Sequence, residues 1–129
     1  MRQLLLIAAL TLMAASCHKK DGGGAGKGGS ASLQVYPQHH KIARNLVNMI
    51  VYVKYNTSDA PANGVYDDSL SCVDADTAQY CIFPGLKNGN YYFYGKGYDT
   101  SIKQAVQGGL PYTITLQQAQ VFDLPVSEN

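Results

Sequence analysis

Tryptophan is absent from this 129-residue chain, cysteine and histidine occur three times each, and charged residues make up only 15%. The near balance of ten basic and nine acidic side chains gives a formal charge of +1. That excludes a nucleic-acid binder working by bulk electrostatics. No apolar run reaches the ~20 residues that span a bilayer as a helix; the longest, residues 4–15, is interrupted by Thr11. No stretch carries a convincing helical period, and Gln104 to Val106 and Gln117 to Gln120 are too short to count. What remains is a chain with 46% hydrophobic residues, 13 glycines and 10 tyrosines. Its length suits one small domain.

The first residues read MRQLLLIAALTLMAASC. A positive start, a short apolar core and then small residues make residues 1–16 a secretory signal. Ala14-Ala15-Ser16-Cys17 resembles the lipobox of bacterial lipoproteins, with Met13 where leucine is usual. The resemblance implies that the chain is cut before Cys17, that the Cys17 thiol is diacylated and that the new amino terminus is acylated. Each buried acyl CH₂ contributes roughly 0.8 kcal/mol, so two or three chains hold a protein on a membrane almost permanently. The expected location is the bacterial cell envelope, on the outer membrane, facing either the periplasm or the surface. Residues 17–31 are rich in glycine and nearly free of apolar side chains, the composition of a flexible tether. The folded domain is expected over 32–129, with six basic and eight acidic groups.

Setting Cys17 aside leaves an even pair, Cys72 and Cys81. Export to an oxidising compartment favours a bridge between them; two free buried thiols are the alternative. Zinc is not indicated, since neither a CxxC motif nor a histidine lies nearby.

From Ser32 onward the pattern is β. Leu33, Val35 and Pro37 alternate with polar residues, and Pro37 argues for a strand end or an edge. Strands are expected at 49–55, with Val51, Val53 and Tyr55 on one face, and at 80–83, 91–98, 112–116 and 121–126. Lys87-Asn88-Gly89-Asn90 and Gln107-Gly108-Gly109 read as turns between them. Six or seven short strands in this length indicate an all-β, antiparallel, Ig-like sandwich. Leu86-x-x-Gly89-x-Tyr91 looks like a tyrosine corner, which makes Tyr91 structural and turns Phe93 toward the core.

The stretch from Asn45 to Asp99, with VYVKYN, acidic residues at Asp74 and Asp76 and then YCIFPGLKNGNYYFYGKGYD, resembles the carboxypeptidase regulatory-like domains. These are prealbumin-like sandwiches, also similar to collagen-adhesin B repeats. Where the family has an Asp-x-x-Gly turn, Ala78 and Gln79 stand here. The resemblance implies a stabilising or binding accessory without catalytic machinery.

Residues with catalytic chemistry are few. His18 falls in the tether, and His39 and His40 are neighbours that a strand would point to opposite faces, so no shared metal is expected of them. They read as surface histidines, and a nucleophile–histidine site would have to use one of them. Asp67-Asp68 and Asp74-x-Asp76 read as solvated turns without an EF-type spacing. The reading is of no catalysis, no cofactor and no metal. The tyrosines offer more. With Tyr91 and Phe93 inward, Tyr92 and Tyr94 face outward, and Tyr52 opposes Val51 and Val53. If the two strands are neighbours, Tyr52, Tyr92 and Tyr94 form an exposed aromatic strip, or simply cross-strand pairs that stabilise the sheet. The leading functional expectation is a structural or protein-interaction module held at the envelope; the alternative is a carbohydrate-binding module using that strip.

Overall fold

The computed structural model describes residues 24–76 and 78–129. The expected signal sequence and the expected acylation of Cys17 lie outside the described residues. Among the described residues eight strands follow in order: β1 Lys27–His39, β2 Leu46–Tyr55, β3 Asp68–Ser71, β4 Val73–Ala75, β5 Ala78–Leu86, β6 Gly89–Asp99, β7 Gln104–Ile114 and β8 Ala119–Val126. They form two four-stranded sheets, β4-β5-β1-β8 and β3-β2-β6-β7. The protein is an all-β sandwich. The alternation read from the sequence sets the core: Leu33, Val35, Val51, Val53, Phe83, Tyr91, Phe93 and Leu124 are all 0% exposed. At their centre the rings of Phe83, Tyr91 and Phe122 lie 5.4–6.1 Å from that of Phe93.

Four features depart from the expectation. The pairing is not wholly antiparallel, because β1 runs parallel to β8 from Ser32 to His39. Two short strands, β3 and β4, were not anticipated; at four and three residues they carry too little pattern to read. The domain also begins before residue 32. Ala25 is buried, Lys87 N–H donates to the Gly26 carbonyl (2.8 Å), and β1 starts at Lys27. The glycines here serve close packing rather than looseness: a Cβ on Gly29 would collide with the Leu86 carbonyl. Finally, Gln107-Gly108-Gly109 is no turn but the middle of β7. Gly108 lets the backbone of Pro125 and Val126 approach, and Gln107 and Ser127 exchange two backbone hydrogen bonds of 2.9 Å that join the sheets along one side. Pro37 sits where β1 is flanked by β8 but has passed the end of its pairing with β5, so its missing N–H interrupts no ladder on that side.

The chain crosses from one sheet to the other at Cys72, between β3 and β4. Val73 pairs with Tyr80, which sets Cys72 opposite Cys81, and the two form a disulfide with Cα atoms 4.6 Å apart. Closing this loop of nine residues restricts the unfolded chain and should contribute about 2.5 kcal/mol. Urea unfolding after reduction and alkylation is expected to show that loss; an unchanged midpoint would mean the bridge constrains nothing.

Candidate functional site

The strands carrying the expected tyrosine strip are neighbours. In the β2–β6 register Tyr52 stands opposite Tyr94, with ring centroids 6.1 Å apart, and Tyr92 stands opposite Lys54. All three are half-buried on the outer face of the β3-β2-β6-β7 sheet. A fourth ring, Tyr66, comes from the loop between β2 and β3, outside any alternating pattern. It stacks on Tyr94 at 5.9 Å and 18° and lies 5.4 Å from Tyr52. Burial, and then the nearby Tyr92 and Tyr94, push the Tyr66 hydroxyl above its ordinary range. Lys96 places its ammonium 5.3 Å over the Tyr52 ring, and the Tyr94 hydroxyl donates to Gln107 Oε1 at 2.6 Å. Tyr92 flanks this group: its hydroxyl is near enough to act on Tyr66, and its ring lies across Gly109, where any side chain on β7 would collide with it. The candidate surface is Tyr52, Tyr66 and Tyr94 with Lys96 and Gln107, around a shallow cleft of about 410 Å³ that also touches Gly64.

Tyr91 has a different task. Its hydroxyl donates to the carbonyl of Lys87 (2.7 Å), four residues earlier, and accepts from Gly26 N–H (2.8 Å). Leu86, fully buried, and Gly89, at φ +148°, shape the turn that makes this return possible. One hydroxyl thus ties the β5–β6 turn to the segment that enters β1.

His40 is exposed, as expected, but His39 contradicts the reading of a bland surface histidine. His39 is buried at the end of β1; its Nδ1 lies 2.7 Å from Asp99 Oδ2 and its Nε2 2.5 Å from Glu128 Oε2. Asp99, also buried, accepts from Ser101 N–H (2.8 Å) and Ser101 Oγ–H (2.5 Å). The strand rule failed because β1 ends at His39. His40 and Lys41 both take positive φ, +49° and +63°, and His39 and Ile42 exchange two 2.9 Å backbone bonds. That is a type I′ turn. It folds the His40 ring back to 4.1 Å from that of His39 instead of onto the opposite face.

The hydrogen bond to Asp99, reinforced by Glu128, raises His39 above 6.5 against the opposing effect of burial. The Ser101 hydroxyl, then His39, hold Asp99 down at about 2. A raised histidine stabilises the fold fully below its unfolded value of about 6.5 and loses that contribution as pH rises through its folded value. A lowered carboxyl stabilises above about 4 and loses its contribution as pH falls toward about 2. With chelator present, thermal stability is expected to be highest between about pH 4 and 6.5 and to decline on both sides. A melting temperature flat from pH 5 to 9 would contradict the His39 bridge.

No family model, curated protein or solved structure matches the chain.

Proposed function

We propose that the chain is a non-catalytic, lipid-anchored protein of the bacterial cell envelope that holds a protein partner on its tyrosine face. The observation that carries this reading is the convergence of Tyr52, Tyr66 and Tyr94, from two strands and a loop, on one sheet surface. Fixed tyrosines offer large amphipathic contact area at low entropic cost on binding. A stacked sugar ring needs an open aromatic face. Here Tyr66 and Tyr94 stack on each other and Lys96 covers Tyr52, which favours a protein contact over a glycan. The envelope location rests on the signal sequence and Cys17, and the accessory role accords with the resemblance to carboxypeptidase regulatory-like domains.

The test is a Tyr66→Ser/Tyr94→Ser double variant of the full chain, with Cys17 intact. On native gels of detergent-solubilised envelope, the parent is expected to migrate in a complex and the variant alone, with unchanged far-UV circular dichroism. Equal migration of the two would refute the face. Retardation of the parent by a polysaccharide gel, lost in the variant, would instead assign the face to a glycan.

A further inference from the structure

We propose that His39, His40 and Glu128 form a binding site for a divalent transition-metal ion, with zinc as the ion that the donor set fits. Each residue offers one ligand atom, and these atoms all lie within 4.8 Å of one another. Two imidazoles and one carboxylate suit zinc better than the all-oxygen shells that calcium and magnesium take. Zinc bonds of about 2.0–2.1 Å in a tetrahedral shell place donor atoms about 3.3 Å apart. His39 Nε2 and Glu128 Oε2, now 2.5 Å apart, need to open by less than an ångström. His40 Nε2 lies 3.9 Å from the other carboxylate oxygen, Glu128 Oε1, and the three donor atoms lie within 4.8 Å of one another, so the exposed His40 ring needs to close by at most about 1.5 Å. The groups that must move are the exposed ones, since the His40 and Glu128 side chains are 74% and 40% exposed and His39 only 5%.

Two independent features shape the site. The first is Asp99, which is buried, pinned by Ser101 and hydrogen-bonded to His39 Nδ1. Metal-ligating histidines almost always donate their second nitrogen in this way, which fixes the tautomer and aims Nε2 at the ion. The second is the turn itself. His40 and Lys41 occupy left-handed positions that glycine or asparagine would fill with less strain, and this conformation brings the second imidazole beside the first. Glu128 is delivered from the other end of the chain, next to Ser127, whose backbone is bonded to Gln107. Binding replaces the proton between His39 Nε2 and Glu128 with the ion and releases it to solvent. Three protein ligands leave a fourth position for water or for a donor from a partner.

The full chain in detergent, stripped with a chelator, is titrated with zinc against a chromophoric competitor. One zinc per chain is expected, with affinity at least tenfold weaker in Glu128→Gln and in His40→Asn. The latter keeps a residue that tolerates the left-handed turn. Cobalt is expected to give the visible absorption of a low-coordinate site in the parent and not in His40→Asn. His18→Gln is the control and should bind as the parent does. Substoichiometric binding, parental affinity in both variants, or loss of binding in His18→Gln would overturn the proposal.

Discussion

Phe93→Ala is expected to lower the unfolding free energy by about 4 kcal/mol. Phe93 is fully buried at the point where β6 meets the opposite sheet, and it packs edge-on to Phe83, stacked with Tyr91 and tilted on Phe122. Removing the ring takes away transfer free energy and leaves a cavity among three rigid aromatics that cannot collapse into it. A domain of this size has a net stability of only about 5–15 kcal/mol, so the loss is a large share. Urea denaturation should show a lower midpoint at an unchanged slope, and Phe93→Leu should recover more than half of the difference. A loss below about 1 kcal/mol for Phe93→Ala would place the core elsewhere.

His39→Ala comes next, at about 3 kcal/mol. The substitution leaves the Asp99 carboxylate buried with the two Ser101 bonds but without its cation, and it frees Glu128 from the end of β1. A melting temperature lower by on the order of 10–20 °C is expected near pH 6. Adding Asp99→Asn to His39→Ala should cost less than the sum of the single changes, because the second removes the charge that the first strands. Strict additivity would mean that His39 acts through packing alone.

The sequence disclosed what periodicity can carry. Tyr91 to Tyr98 alternates so strongly that the inward pair Tyr91 and Phe93 and the outward pair Tyr92 and Tyr94 are legible before any fold is known, and the same holds for Val51 and Val53 against Tyr52. Glycine misled in two places. A glycine-rich stretch reads as a loose leash or a turn, yet Gly29 and Gly108 lie in strands where neighbouring backbone comes too close for a side chain. That closeness is a tertiary fact without a local pattern. Tyr66 was missed because it reaches the tyrosine face from a loop, with no alternation to mark it. The His39–Asp99 pair was missed because its members lie 60 residues apart and meet only where β1 and β6 end together. The turn at His40 and Lys41 was hidden by its residues, since neither is the glycine or asparagine that announces a left-handed position.

The tyrosine face is tested most directly inside the cell, by a photo-crosslinking residue placed at position 66 or, as the opposite-face control, at position 121. Val121 is 63% exposed on the outer face of the other sheet. Irradiation is expected to give one discrete protein adduct from position 66, none from position 121, and none from position 66 when Cys17→Ser removes the proposed anchor. An adduct from position 121 alone, or no protein adduct from position 66 in the anchored chain, would contradict the assignment of this face as the partner surface.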